Sequence, residues 1–505
     1  MRRLAVDVET KNKNVSINTA SLVSRASRAF FEIGQETVGK TLGITAPSPP
    51  SGPPPVVFRE KETGLLHVVY REVVVRFKPG TTKKMQETIL KDRGFKIRRR
   101  NPFVPHQVVV YDPERRHTGE KLLEVANEWT NLDETVFATP NFVSQYRREA
   151  PPSIRAEEWH LNNKGGGGAL TGEDVEILQA WKRTTGRKEI VIAVLDDGVD
   201  IEHPNLRTRI WKNPDIGSPD KNGRDFFLPE ENPEHFNPRP KLFRYPYHVM
   251  TGNDIHGTPC AGVIAAIGRK IGSINGSVGA APGCRILPVK IFHADELARD
   301  EAVADAIRYA ALNADILSCS WSGGFSADLE QALEDAGEIG RNGLGAAIFC
   351  AAGNDGRNFV GYPARDPNAI AVGASTDQGK LAGYSNFGPE IAFVAPSSGG
   401  TRGIFTTDVS IPNRGFNIGS ANQGGVDGLH TNSFGGTSSA TPLAAAVAAL
   451  VLSIRPNLNR SALRDLLAGS ADKIGDGYDE RGHSQEFGFG RINAARAIQA
   501  ALALT

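Results

Sequence analysis

Cysteine is scarce in this sequence, with four residues in a chain of 505. So few thiols, widely spaced, do not make the disulfide framework that stabilises small secreted domains. Each cysteine lies in an apolar or small-residue run, which predicts a buried free thiol. The four are Cys260, Cys284, Cys319 and Cys350.

Net charge and long apolar runs are lacking as well. The chain has 58 Lys and Arg residues against 57 Asp and Glu residues, so no overall field would draw it to nucleic acid or to an anionic membrane surface. We therefore expect no nucleic-acid partner. No apolar run approaches the length that spans a bilayer, so we also expect no membrane span.

The amino-terminal residues lack the continuous apolar core of a secretory signal peptide, because charged side chains interrupt them at Arg2, Arg3, Asp7 and Glu9. We therefore expect a cytoplasmic protein. Secretion or another form of export is the alternative, through a mis-assigned start codon or an unconventional route.

Residues 47–55 are rich in proline, which lacks an amide donor and holds the backbone near polyproline II. We interpret this segment as a linker. Residues 1–46 before it form a short extension that is too small for a core of its own. The stretch Ala20–Gly43 within it is predicted to be helical, and its role is open, with an interaction or targeting module as one hypothesis.

Residues 56–146 show the order β-α-β-β-α-β, which predicts a small ferredoxin-like α+β domain. The predicted strands are Glu72–Phe77, Phe95–Arg99, Gln107–Tyr111 and Glu134–Ala138, and the predicted helices are Lys83–Lys91 and Glu120–Trp129.

Residues 147–505 have a different texture, with short apolar strands that alternate with helical stretches and glycine-rich turns. Near-continuous apolar runs are typical of parallel strands that helices cover on both faces. This part is therefore predicted to be an α/β domain with a mainly parallel sheet, whose reactive groups lie just beyond the carboxyl ends of strands. The runs are Ile190–Leu195, Arg285–Ile291, Asp315–Ser320, Ala346–Cys350, Ile370–Ala374 and Ile391–Val394.

Four side chains of this part could carry chemistry. Asp196 leaves a buried strand just before a glycine, and His256 stands at the start of a small-residue helix, where its protonated form needs a carboxylate. Ser438 precedes a buried apolar helix, a position that favours a developing negative charge, and Asn354 closes another strand with an amide that can donate to an oxyanion. Taken singly, each is explained equally well as an ordinary turn, a structural histidine or a helix cap.

Together, these residues supply an acid, a base and a hydroxyl nucleophile in the order Asp, His, Ser. The hydroxyl is a poor nucleophile at neutral pH, so an imidazole must take its proton and a carboxylate must hold the imidazole. Subtilisin has its catalytic residues in this same order along the chain.

Over roughly Trp159 to Ile498, the chain resembles the subtilisin-like serine peptidases, the subtilase family, through the runs around these four residues. The resemblance implies a triad of Asp196, His256 and Ser438, with Asn354 and the Ser438 amide as the oxyanion hole. It also implies two extended segments beside the substrate. Their substrate-binding residues would be Ser320, Trp321, Ser322, Gly323, Ala352 and Gly353.

Some features are similar to the kexin-like branch, among them Asp196-Asp197-Gly198 and the Trp321 that follows Ser320. Kexin-like enzymes hold basic side chains with acidic clusters, whereas Ser322–Phe325 supplies no carboxylate. We therefore predict an unexacting preference for an apolar or neutral residue before the scissile bond.

The domain at residues 56–146 resembles the propeptide of subtilases, which chaperones folding and inhibits the product. The resemblance implies an autoinhibited zymogen whose own propeptide is an intramolecular inhibitor. We hypothesise autocatalytic cleavage between Asn141 and Glu158. The expected partners are protein or peptide substrates, and the expected state is a monomer.

No cofactor is expected for the chemistry, and structural calcium is left unassigned. Many family members bind calcium through the Asp of a His-Pro-Asp-Leu segment and through the loop after the histidine helix. Here Asn205 replaces that Asp, and Arg269 and Lys270 occupy the loop. A second oxygen-rich stretch is explained equally well as a solvated loop. It contains Asp215, Asp220, Asn222 and Asp225.

The sequence argues against three other interpretations. Cys260 is rejected as the nucleophile, because no helix start suited to an oxyanion and no second base accompany it. A peptide-binding pseudoprotease would lack a triad member, and none is missing. An ester hydrolase on an α/β-hydrolase scaffold needs Gly-x-Ser-x-Gly and the order Ser, acid, His, but Ala440 takes the last position and Ser438 comes last.

Overall fold

The structure is a computed structural model of the chain, and it divides into two compact units, Met1–Ala150 and Pro151–Thr505. The residues that the structure describes are 5–10, 13–18, 30–32, 56–60, 66–101, 106–114, 116–117, 120–144, 154–241, 254–270, 276–293, 298–410, 415–416 and 428–504.

The first unit is built on antiparallel strands. They are β1 (Ala5–Thr10), β2 (Lys13–Asn18), β3 (Phe30–Glu32), β4 (Val56–Glu60), β5 (Leu66–Phe77), β6 (Lys96–Arg100), β7 (Gln107–Tyr111) and β8 (Thr135–Ser144). Helix α1 (Lys83–Asp92) joins β5 to β6, and α2 (Glu120–Thr130) joins β7 to β8. The spatial order β8-β5-β7-β6 with these two crossover helices is the predicted ferredoxin-like fold, which is confirmed.

The core of this fold follows from the alternation along β5. Val73, Val75 and Phe77 point to one face and are almost completely buried, where they pack with Leu122 and Trp129 of α2. One apolar face of the sheet is thus covered by helices.

The predicted helix over Ala20–Gly43 is wrong where the structure describes it. Phe30–Glu32 is strand β3, which pairs antiparallel with β4, so that Phe31 lies opposite Arg59. Aromatic side chains favour strands, and a partner strand some 28 residues away overrides the helical spacing. The rest of that stretch and the proline-rich linker at 47–55 lie outside the described residues.

The second unit is built on a parallel sheet of seven described strands in the order β10-β11-β9-β12-β13-β14-β15. They are β9 (Val191–Asp196), β10 (Arg224–Asp225), β11 (Arg285–Lys290), β12 (Ile316–Cys319), β13 (Ala347–Ala351), β14 (Ala369–Ser375) and β15 (Ile391–Pro396). Each of the six predicted apolar runs overlaps one of these strands, so the predicted α/β fold with a parallel sheet is confirmed.

The remaining elements complete this unit. The helices are α3 (Ile177–Trp181), α4 (Gly257–Ala265), α5 (Asp300–Asn313), α6 (Ala327–Gly343), α7 (Thr437–Ile454), α8 (Arg460–Ser470) and α9 (Ala494–Ala503). A separate antiparallel pair consists of β16 (Ile404–Thr407) and β17 (His430–Phe434).

The sheet is covered on both faces, which explains why its strands are apolar throughout. Along β9, Ile192 and Val194 belong to the core that contains α4 and α7, whereas Ala193 and Leu195 belong to the core that contains α5 and α6. The four cysteines are free and buried, as predicted.

Helix α7 contradicts the expectation that no apolar run approaches membrane-spanning length. Its 18 residues have a mean hydropathy of 1.6, enough by length and composition to cross a membrane, and 94% of them are buried inside the protein. Alanine, leucine and valine without a charged residue give this composition because α7 is enclosed by the sheet and by neighbouring helices.

Candidate active site

Asp196 lies at the carboxyl end of β9, near the middle of the parallel sheet. The next long strands of the chain, β11 and β12, flank β9 on opposite sides. The end of β9 is therefore a topological switch point, where open α/β sheets bind their ligands. Gly198 has a φ of 110°, which allows the chain to turn sharply away from the strand.

His256 directly precedes α4, and its ring faces Asp196. Its Nδ1 lies 3.0 Å from Oδ1 and 2.9 Å from Oδ2 of Asp196. A carboxylate only accepts, so Nδ1 carries the proton and Nε2 is the acceptor of the neutral ring. Burial would lower the pKa of His256, but the charge of Asp196 and its hydrogen bond hold that pKa well above the ordinary value.

Asp197, the next residue along the chain, is bonded to the main chain around the same histidine. Its Oδ2 accepts the N–H groups of Ile255 and His256 at 2.7 and 2.8 Å, and its Oδ1 accepts that of Gly257 at 2.7 Å. Burial, and then the charge of Asp196, raise the pKa of Asp197 above the ordinary carboxyl value.

Ser438 lies in the first turn of α7, and it exchanges two hydrogen bonds with Ser320. Its hydroxyl donates to the Ser320 carbonyl oxygen at 3.2 Å, and the Ser320 hydroxyl donates to the Ser438 carbonyl oxygen at 3.0 Å. Pro442, four residues further on, has no N–H, so the Ser438 carbonyl oxygen lacks its intrahelical donor. The Ser320 hydroxyl and the Cys260 thiol, 3.7 Å away, donate to it instead.

Asn354 faces the same helix start from the end of β13. Its Oδ1 accepts the N–H of Thr437 at 2.8 Å and the Thr437 hydroxyl at 2.9 Å. A backbone N–H can only donate, so the oxygen end of the amide must face Thr437 and Nδ2 points the other way. The side chain therefore presents an N–H donor beside the start of α7.

The two predicted substrate-binding segments follow neighbouring strands, since β12 and β13 pair with Cys319 opposite Cys350. The indole N–H of Trp321 donates to the Leu195 carbonyl oxygen at 3.0 Å, and the N–H of Gly323 donates to the Tyr362 carbonyl oxygen at 2.7 Å. Both segments thus lie at the sheet edge where Asp196 emerges. The predicted residues on them are Ser320, Trp321, Ser322 and Gly323 after β12, and Ala352 and Gly353 after β13.

The family of the chain follows from its similarity to known proteins. The model of the subtilase family, peptidase family S8, matches residues 187–490, more than half of the chain. The chain belongs to the subtilase family. The matched range includes Asp196, His256, Asn354 and Ser438.

Similar subtilases are found in bacteria and in animals. A calcium-dependent protease of Nostoc sp. is 33% identical over 86% of this chain and 64% of its own length. Human proprotein convertase subtilisin/kexin type 7 is 32% identical over 68% of this chain and 41% of its own length. The predicted subtilisin-like family with kexin-like features is confirmed, and the chain spans less than two thirds of these relatives.

The fold agrees with a solved structure. A serine protease of Aeromonas sobria in complex with its chaperone superposes with a TM-score of 0.58 and 20% sequence identity, over 71% of this chain and 68% of that one. At this level of identity, the likeness shows a shared fold.

A metal at the subtilase site itself has little support. Among the described residues, the one cluster of His, Cys, Asp or Glu side chains with metal-binding spacing is Asp196, His256 and Cys260. Its carboxylate and imidazole already bond each other, so we assign no metal there. Burial raises the pKa of the Cys260 thiol to about 11, so it is protonated at neutral pH.

At the family's usual calcium position, the oxygen-bearing side chains of this chain accept main-chain N–H groups. Asn205 uses Oδ1 to accept the N–H of Arg269 at 2.7 Å. At the far end of the same loop, the buried Glu158 accepts the N–H of Val278 at 2.5 Å. Burial raises the pKa of Glu158 to about 8, so a bound cation would stabilise its charged form. Amide and carboxylate oxygens are ligand types that calcium accepts, but here each of them already accepts a main-chain N–H, and a single carboxylate gives little charge.

The second oxygen-rich stretch does not converge on a cation. Asp220 accepts from Asn213 and from the Tyr309 hydroxyl at 2.9 and 2.7 Å, and Asp225 is buried on β10. Asp215 accepts the N–H of Gly217 in an exposed turn. Asp225 accepts the N–H of Phe227 at 3.0 Å through Oδ1, so these carboxylates bond separate local groups.

Sequence reasoning missed two residues that organise the site. Asp197 was grouped with Asp196 as a family feature, and its spacing gave no sign that it bonds the main chain at residues 255–257. Thr437 fixes the Asn354 amide, and a threonine at a helix start gives no sign of that role in the sequence. The signal for an external partner at this helix start was Pro442, which removes the N–H that the Ser438 carbonyl oxygen needs.

Proposed function

We propose that this subtilase is a serine endopeptidase that hydrolyses peptide bonds through an acyl-enzyme intermediate. The observation that carries the proposal is the bond between His256 Nδ1 and Asp196 at the start of α4, a helix that packs against α7 with Ser438 in its first turn. The packing of these two helices supports a role for His256 as an oriented base that acts on the Ser438 hydroxyl.

The proton movements follow from this arrangement. The Ser438 hydroxyl turns from the Ser320 carbonyl oxygen toward the imidazole and gives its proton to His256 Nε2 as Oγ attacks the substrate carbonyl carbon. Asp196 stabilises the imidazolium that forms. His256 then protonates the leaving amine, and an ester remains on Ser438 until water, activated by the same imidazole, hydrolyses it.

The negative oxygen of the tetrahedral intermediate needs donors that are already in place. Asn354 Nδ2 and the Ser438 N–H are the donors in this proposal, and Thr437 prevents the amide from rotating. The start of α7 adds the positive end of a long helix dipole.

A fluorophosphonate probe tests this function, because it forms a covalent bond only with an activated serine. We expect mass spectrometry to find the probe on Ser438 and casein hydrolysis to disappear in Ser438→Ala. Ser439→Ala is the matched control, since the neighbouring hydroxyl is buried and bonded to Ser397. A peptide-binding pseudoprotease would give neither labelling nor hydrolysis.

Substrate preference follows from the side chains around the two segments. Glycines and small neutral residues surround the expected position of the side chain before the scissile bond, among them Ser322, Ala352 and Gly361. Asp355, the nearest acid in sequence, is half-exposed and paired with Arg357 at 2.9 Å. We therefore propose a neutral or apolar residue there, and strict cleavage after Arg or Lys in a peptide library would contradict it.

The first unit supports a precursor. Its ferredoxin-like fold and its place before the protease unit fit an intramolecular inhibitor, and the boundary at Ala150 falls within the proposed cleavage interval between Asn141 and Glu158. We expect purified wild-type protein to shorten by itself. Ser438→Ala should stay full length until a trace of mature wild type is added, and maturation of the pure variant would exclude self-cleavage.

Calcium belongs to the proposal as a structural ion and takes no part in proton transfer. The similar proteins named calcium-dependent proteases motivate it, and Asn205 and Glu158 are the side chains of this chain that would hold it. Calcium would stabilise the loop that both residues contact.

A further inference from the structure

The two carboxylates at the end of β9 hold the same histidine in different ways. Asp196 bonds the imidazole, whereas Asp197 bonds the main chain on both sides of the His256 Cα atom. The N–H of Asp197 also donates to Oδ1 of Asp196 at 2.8 Å. One residue thus contacts both partners of the Asp–His bond.

Asp197 also acts as the cap of α4. The first N–H groups of a helix have no intrahelical acceptor, and His256 in the N-cap position makes no side-chain capping bond. Asp197 fills this role from 59 residues away in the sequence, with a carboxylate that is 7% exposed. Its negative charge also complements the positive end of the helix.

The contact is close because a glycine begins the helix. A Cβ atom at Gly257 would lie 2.3 Å from the Gly198 carbonyl oxygen and 3.0 Å from Cβ of Asp196. The start of α4 is therefore pressed against the end of β9, and a shift of the main chain here would carry the imidazole away from Asp196.

A neutral cap would destabilise the folded protein less than a second buried carboxylate beside Asp196, because like charges repel each other in a buried site. The arrangement is explained if the charge is used during the reaction, when His256 becomes a cation. Other ionisable groups around His256 are Asp196, the Cys260 thiol and Asp254, which forms a buried ion pair with Lys290.

We propose that Asp197 is a positioning residue that holds the His256 main chain against Asp196 and favours the imidazolium through its charge. This inference rests on the proposed protease function. It assigns to Asp197 a role through His256, because the side chain is buried and both of its oxygens accept main-chain N–H groups.

The decisive variant is Asp197→Asn, which keeps the shape but leaves an N–H group facing a backbone N–H. Misplacement of a catalytic group by about 1 Å costs about 10²-fold, so we expect kcat to fall about 10²-fold with KM within about twofold of wild type. Loss of the negative charge should lower the pKa of His256 and move the acidic limb of kcat/KM to lower pH. A purely structural role would lower thermal stability and leave that limb in place.

Asp200→Asn is the matched control. Asp200 also accepts a backbone N–H near the end of β9, that of Ser410 at 2.9 Å, but it does not contact His256. We expect its kcat and acidic limb to equal those of wild type. If Asp197→Asn behaved like this control, the proposal would be overturned.

Two measurements separate this inference from the protease function. In inactive Ser438→Ala protein, NMR of the imidazole should show a lower His256 pKa after Asp197→Asn, whether or not the chain hydrolyses peptides. If Asp197→Asn does not fold, hydrogen exchange in Ser438→Ala protein tests the contacts directly. The N–H groups of Ile255, His256 and Gly257 should be protected, and free exchange would overturn the proposal.

Discussion

Ser320 and Ser438 exchange two hydrogen bonds, one from each hydroxyl to the other's carbonyl oxygen, at 3.0 and 3.2 Å. The segment that would bind substrate and the first turn of the helix that bears Ser438 are therefore joined at one point. This link exists because Pro442 leaves the Ser438 carbonyl oxygen without its helical donor.

Ser320→Ala should loosen this junction. The Ser438 carbonyl oxygen would keep only the weak Cys260 thiol as a side-chain donor, so we expect a loss of about 1 kcal/mol in the free energy of unfolding. Urea unfolding of the Ser438→Ala protein, with and without Ser320→Ala, measures this without self-digestion. Ser320→Ala combined with Pro442→Ala should recover part of the loss, and additive losses would contradict the explanation.

Asn354→Ala should remove a donor to the oxyanion without disturbing substrate binding. We expect kcat to fall about 10²- to 10³-fold with little change in KM, as the loss of one such donor does in subtilisin. Steady-state kinetics on one peptide substrate measures both constants. Asn358→Ala is the control, because that amide is bonded to Gln485 at the surface, and equal effects of the two variants would refute the role of Asn354.

The pH profile should report the pKa of His256. Burial opposes the charged ring, but Asp196 raises the pKa well above the ordinary value of about 6.5. Only the neutral ring can accept a proton, so activity should rise with pH through this raised pKa, and the acidic limb of kcat/KM should lie above pH 6.5. Asp196→Asn should move the limb to lower pH and reduce kcat by about 10⁴-fold. An unchanged limb would mean that another group controls it.

Calcium removal should lower the melting temperature of the inactive Ser438→Ala protein. EDTA would remove calcium from the proposed site at Asn205 and Glu158, and excess calcium should restore stability. Glu158→Gln should remove this response, because it takes the charge from the site. Glu157→Gln, at an exposed neighbour paired with Arg155, should respond to EDTA as the parent protein does. An equal response in both variants would place calcium elsewhere.

The parallel sheet was predictable because strands covered on both faces must be apolar along their length, as Ile192 to Leu195 are. The carboxyl ends of such strands also predicted the position of the reactive side chains, and Asp196, His256, Asn354 and Ser438 lie at that edge of the sheet. The partners of these residues were not predictable. Nothing in the spacing of Asp197 shows which distant N–H groups its carboxylate accepts.

The prediction of a helix over Ala20–Gly43 was wrong for a similar reason. Local spacing favoured a helix, but β3 at Phe30–Glu32 exists through its pairing with β4, a partner that local sequence does not contain. The apolar length of α7 is likewise hard to see in the sequence, because each alanine is only weakly apolar, whereas the whole helix reaches a mean hydropathy of 1.6.

The enclosure of α7 ties catalysis to the global stability of the protease unit. An element buried on all sides opens only when its surroundings open, so its amides should exchange with solvent at rates set by complete unfolding. Ser438 occupies the first turn of this helix. Ser438 should therefore keep its place until the unit unfolds as a whole, and heat should abolish the proposed activity and the tertiary structure in a single transition.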